Sequence, residues 1–95
     1  MRDQEIKDLI GDLESVGLSD DPSTVEVGKD GVESIDYENS ELNIIYLLKK
    51  GSYSRIEAEN NYCYLISENF VYSIICRSDE SSRKVAKKIQ NFLNS

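Results

Sequence analysis

Of the side chains that ordinarily carry out chemistry, histidine is missing: the 95 residues contain none. That removes the group best suited to moving protons near neutral pH, and it leaves each serine without an imidazole to activate it. No glycine-rich phosphate loop is present either. Three sets of reactive groups remain. The first is Cys63 and Cys76, too few soft ligands for a zinc site in a chain without histidine. The second is the carboxylate pair Asp20-Asp21 in the polar stretch SDDPS, which lacks the ligand spacing of a calcium loop and reads as solvated. The third is the basic run Arg83, Lys84, Lys87 and Lys88, which reads as the solvated face of a terminal helix. No catalytic residue, cofactor site or metal site is expected, and the chain is read as a non-enzyme.

A different kind of chemistry, that of contact, is better represented. There are six tyrosines and no tryptophan. Tyrosine offers a large rigid surface with a polar tip and is enriched where proteins meet. Its placement depends on the stretch Tyr53 to Arg77, YSRIEAENNYCYLISENFVYSIICR, which reads as three antiparallel strands. Asn60-Asn61 supplies a type I′ turn signal, and Glu68-Asn69 a second two-residue turn. In that register Ala58 faces Cys63, Ile56 faces Leu65, Leu65 faces Tyr72 and Cys63 faces Ile74. One face then holds Ile56, Ala58, Cys63, Leu65, Phe70, Tyr72, Ile74 and Cys76, and it is the expected core. The two cysteines are diagonal on it, about 7–8 Å apart, at or beyond the reach of a disulfide, and are expected to be buried thiols. The other face holds Tyr53, Arg55, Glu57, Glu59, Tyr62, Tyr64, Ile66, Val71, Ile75 and Arg77.

The flanking elements are placed against this unit. Ile6, Leu9, Ile10, Leu13 and Val16 recur at helical spacing over residues 3–16. Gly17 is the expected left-handed terminator, with Leu18 folding back on Leu13. Val25 and Val27 then alternate with polar residues, and Asp30-Gly31 is a turn into a second strand, Val32 to Tyr37. The run LNIIYLL, residues 42–48, fits either state. Ser40, Lys49, Lys50 and Gly51 would cap it as a helix, whereas its length and centre suit a strand. Taken as a strand between 32–37 and 53–59, it puts Ile45 and Leu47 on the core face with Val25, Val27 and Val32. It puts Ile35, Tyr37, Leu42, Ile44, Tyr46 and Leu48 on the opposite face. A final helix runs from about Asp79 to Leu93, with Val85, Ala86, Ile89, Phe92 and Leu93 as its apolar stripe. Asp79 and Glu80 precede Arg83 and Lys84 by four residues, the spacing of helical ion pairs.

The expectation is a single α+β domain over residues 1–95: an N-terminal helix, a six-stranded antiparallel meander sheet and a C-terminal helix, both helices on one sheet face. That layout, with its acidic balance, resembles small dimeric secretion chaperones. If residues 41–50 are helical, the order α-β-β-α-β-β-β-α resembles the Roadblock family of GTPase-associated dimers, a profilin-like arrangement. That resemblance implies a GTPase-associated regulator.

Charge narrows the partners. Residues 1–41 hold thirteen acids and three bases, whereas 42–95 hold five acids and eight bases, giving the net charge of −7. Such a chain repels nucleic-acid phosphates, so no nucleic acid is expected as partner. No apolar run approaches a membrane span and no secretory leader is evident, so a cytoplasmic location with no membrane contact is expected. The reading reached is a small acidic protein-binding module (adaptor, chaperone or inhibitor) acting as a homodimer or on another protein. Its interface is expected at Tyr37, Ile44, Tyr46, Tyr53, Tyr62, Tyr64 and Ile66. Two rivals are an acidic nucleic-acid mimic and a weak cation or small-ligand binder.

Overall fold

A computed structural model describes residues 3–19, 24–28, 33–36, 53–68 and 70–94, with backbone alone for residues 3, 24–28, 33–36 and 70. Its elements are helix α1 (Asp3–Val16), strands β1 (Thr24–Gly28), β2 (Glu33–Asp36), β3 (Arg55–Glu59), β4 (Tyr62–Ile66) and β5 (Phe70–Ile75), and helix α2 (Asp79–Leu93). Strands β3, β4 and β5 form an antiparallel meander in the anticipated register, with Ala58 opposite Cys63, Ile56 opposite Leu65, Leu65 opposite Tyr72 and Cys63 opposite Ile74. The Asn60-Asn61 turn closes it. Asn60 alone among the described non-glycine residues has a positive φ, 56°. One left-handed residue at the first turn position is the φ pattern of a type II′ turn, where type I′ needs two.

The six-stranded sequential meander is not the architecture. β1 pairs antiparallel with both β2 and β5, so the strand order is β2-β1-β5-β4-β3. Among the described residues, strands β2 and β3, the proposed neighbours of residues 42–48, stand at opposite edges of the sheet. Residues 42–48 themselves lie outside the described residues, as do Tyr37 and the 41–50 segment on which the Roadblock-like alternative turns. The faces of β1 change with its partner. Val25 stands opposite Ser73 and Val27 opposite Val71, positions of the face turned away from Tyr72 and Ile74. The sequence reading put both valines on the core face. Because strand side chains alternate with a period of two, a one-residue difference in register moves a whole strand's set to the other face. Here Val25 also stands opposite Ile35 and Val27 opposite Glu33, a pairing one residue out of step with a two-residue Asp30-Gly31 loop.

Both helices serve the face bearing Cys63, Leu65, Tyr72 and Ile74. Ile6, Leu9, Ile10 and Leu13 of α1 and Val85, Ala86 and Ile89 of α2 are buried with those strand residues in one cluster. α2 lies over β3 and β4 and packs beside α1. Its N-cap is Ser78, whose Oγ accepts from the Ser81 N–H at 3.1 Å, and Asp79 and Glu80 place negative charge in its first turn. The anticipated surface pairs are present, Arg83–Asp79 at 2.7 Å and Lys84–Glu80 at 3.4 Å.

The end of α1 differs from expectation in one respect. The Leu18 N–H does bond back to the Leu13 carbonyl at 2.9 Å, the long bond of a Schellman ending, and the Gly17 N–H reaches the same oxygen at 2.8 Å. Gly17, however, does not have a left-handed φ. It is required for contact: a Cβ there would collide with Ser81 Cβ and stand 2.9 Å from the Ser81 carbonyl oxygen. The missing side chain lets the first turn of α2 press against the end of α1.

Candidate functional site: the outer face of the sheet

The positioning of this face begins at the turn beneath it. The buried Ser82 hydroxyl is shared between the carbonyls of Asn60 (2.9 Å) and Asp79 (2.7 Å), tying the β3–β4 turn to α2. Asn61 clasps Cys76 from both sides. Its carbonyl accepts from the Cys76 N–H at 2.7 Å, and its Nδ2 donates to the Cys76 carbonyl at 3.4 Å. Arg77 then donates through Nη2 to the Glu14 and Ser15 carbonyls, 3.2 and 3.1 Å away, satisfying acceptors left open in the last turn of α1. These bonds fix the β3–β4–β5 meander on its helical support, and with it the direction in which each strand side chain points.

Along β4 the result is strict alternation. Cys63 and Leu65 are fully buried, whereas Tyr62, Tyr64 and Ile66 are half-buried on the opposite side. Val71 and Ile75 of β5 are half-buried on that same side. The Tyr62 and Tyr64 rings stack, with centroids 6.1 Å apart and planes 21° from parallel. Ser73 sits between them and β1, opposite both Tyr64 and Val25, and is 9% exposed. The β3 margin of the face is charged: Arg55 Nε lies 3.5 Å from Glu57 Oε1. The Tyr64 phenol is held above its ordinary pKa, first by partial burial and then by the negative charge of Glu59 and the neighbouring Tyr62. It therefore stays protonated as a hydrogen-bond donor well into the alkaline range.

Of the seven interface residues expected from sequence, Tyr62, Tyr64 and Ile66 come together here. Tyr37, Ile44 and Tyr46 lie outside the described residues. Tyr53 does not join them; it packs against the core and meets Tyr72 edge-on, with centroids 6.2 Å apart and planes at 89°. Its displacement has a local cause. The Ser54 N–H bonds to the Ile66 carbonyl at 2.8 Å, one residue ahead of the Arg55–Ile66 pair. Two residues thus oppose one, the arrangement of a β-bulge, and a bulge resets the alternation of everything before it. The sequence reading missed Val25 and Val27, whose register adds two apolar positions to this side of the sheet.

The inner face holds the cysteines. Both are buried and free; burial pushes the Cys63 thiol up to about 12, with Cys76 nearby adding to the shift. Burial likewise pushes Cys76 up to about 11, against a backbone hydrogen bond from Cys63 that acts the other way. Thiols held this far from their thiolate form are poor nucleophiles and poor metal ligands. Among the described residues no group of three or more His, Cys, Asp or Glu side chains is placed to hold a metal ion, and no helix is long and apolar enough to cross a membrane.

Comparison with known proteins finds no matching family model, no matching curated protein and no matching solved structure. The functional reading rests on the residues and their geometry.

Proposed function

We propose that this chain is a non-catalytic, acidic protein-docking module that meets another protein through the outer face of β4 and β5 and works as a dimer. The observation that carries this reading is the half-exposed set Tyr62, Tyr64, Ile66, Val71 and Ile75 on a sheet whose other face is already buried under two helices. Large apolar groups gathered on one side of a sheet mark a contact surface more often than a bare one. The tyrosines suit transient or exchangeable contact, since each combines apolar area with a phenol that can donate a hydrogen bond at the rim. The net charge of −7 favours a partner with a basic surface around its apolar centre.

Tyr64→Glu tests the reading. It places a carboxylate at the centre of the face while leaving the inner core untouched. The expected outcome is loss of contact with the other protein, with the fold retained at a cost of about 1–2 kcal/mol for the lost Tyr62–Tyr64 stack and the carboxylate set opposite Glu57. Binding of the other protein undisturbed by Tyr64→Glu would contradict the proposal.

A further inference from the structure

The strand order leaves β3 with a single neighbour, β4, among the described residues. The Glu59–Tyr62 pair closes a two-residue turn and is a hydrogen-bonded pair, so by alternation Glu57 and Arg55 also bond toward β4. Ile56 and Ala58 consequently turn their N–H and C=O groups to the open edge. An open edge is a template for another strand unless its side chains forbid one. Here they select one. The outward-facing residues read Arg55, Glu57, Glu59, with Arg55 and Glu57 64% and 53% exposed at the side chain.

We propose that a second copy of this chain docks on the β3 edge, antiparallel, with the two-fold axis at Ile56, continuing the five-stranded sheet into a ten-stranded one. In this register Ile56 bonds to Ile56 of the second copy, and the closely spaced pairs on either side set Arg55 opposite Glu57 of the second copy and Glu57 opposite its Arg55. The neighbouring registers are worse. Shifting the axis to Glu57 sets two Glu57 carboxylates against each other at its centre, against two outlying Arg55–Glu59 pairs, and shifting it to Ala58 opposes Glu57 and Glu59 twice. Only the Ile56 axis gives two opposite-charge pairs and no like-charge pair. Like charges directly opposed across a ladder destabilise it. The two-fold axis runs perpendicular to the sheet, so both tyrosine faces end on the same side of the dimer. A partner with two sites would then gain avidity. The contact is small, and the dimer is expected to be reversible, dissociating in the micromolar range.

Sedimentation equilibrium on four chains tests this: wild type, Arg55→Glu, Glu57→Arg and the double exchange. Both positions are exposed, so the fold should survive each change. Wild type should dimerise and weaken as salt rises. With Glu59→Gln in every chain, an Ala58-centred register offers the introduced arginine no carboxylate. Each single reversal should then raise the dissociation constant about tenfold or more, and the double exchange, which restores opposite charges at 55 and 57, should bring it back to within about threefold. A wild-type chain still monomeric at about 0.5 mM would overturn the proposal. So would single variants that dimerise like wild type, or a double exchange no better than the singles. The readout is self-association through β3, and Tyr64 is not altered, so a failure here is distinguishable from a failure of the docking face.

Discussion

Strand β4 carries two surfaces made from alternate residues of one five-residue segment. Cys63 and Leu65 face inward and have no exposed area; Tyr62, Tyr64 and Ile66 face outward and are half-covered. The backbone, the register and the neighbouring strands are common to both, so the difference lies entirely in what stands opposite. Inward, α1 and α2 supply Leu13, Val85 and Ile89, and the packing is complete. Outward, the described part of the chain leaves apolar area over. One side of the strand is committed to stability; the other is left half-covered by the described residues, and it is the side the proposed docking would use.

Truncation gives the widest separation between the two sides. Leu65→Ala removes a side chain from a fully packed site and should cost about 2–5 kcal/mol of unfolding free energy. Tyr64→Ala, one residue away, should cost no more than about 1.5 kcal/mol, the scale of a partly exposed aromatic pair. Equal losses in urea titrations of the two variants would erase the distinction on which the functional reading stands.

Gly17→Ala probes how tightly the inner side is closed at its end. The added methyl would collide with Ser81, and overpacking of this kind costs about 1–3 kcal/mol. Because the nearest atom is Ser81 Cβ, Ser81→Gly in the same chain should recover part of the loss. A neutral Gly17→Ala, or no recovery in the pair, would mean that α1 and α2 are not in close contact there.

Alkali sharpens the contrast further. The thiols of Cys63 and Cys76 are raised from an ordinary 9.0 to about 12 and about 11. A raised pKa in the folded state means that the unfolded chain loses its thiol protons first. The associated stability is therefore complete below about pH 9 and is lost as pH rises from there toward pH 11–12. Urea midpoints measured from pH 8 to pH 11 should fall, and the fall should be shallower in Cys63→Ala. If the variant's profile parallels that of wild type, the thiol is not buried as described.

Much of this molecule was legible from sequence because period carries face. The residue ranges of α1 and α2, the β3–β4–β5 register and the burial of Cys63, Leu65, Tyr72, Ile74 and Cys76 follow from apolar spacing and from the Asn60-Asn61 turn; Ile56 and Ala58 of the same face are only half-buried. What period could not carry was which strands meet. Val25 and Val27 alternate correctly within β1, yet their face depends on the pairing with Ser73 and Val71, more than forty positions along the chain. Assuming that strands pair in sequence order put β1 in the wrong place and turned it over. Tyr53 was lost to the same face for a smaller reason: the bulge at Ser54 has no strong residue signature, and it shifts the alternation by one. The position of Gly17 at a helix end predicts a left-handed terminator, whereas its requirement is contact with Ser81, a partner invisible from the local sequence.

The docking face is tested most directly from its own centre. A photoreactive benzoylphenylalanine in place of Tyr64, activated in the cells that make the protein, should yield a discrete adduct with a second protein chain. Adding Tyr62→Glu should remove that adduct, and it should persist in an Arg55→Glu background that breaks the β3 edge contact. A cross-link that forms only within the same chain, to residues between 37 and 52, or no adduct at all, would contradict the claim that this face receives a partner.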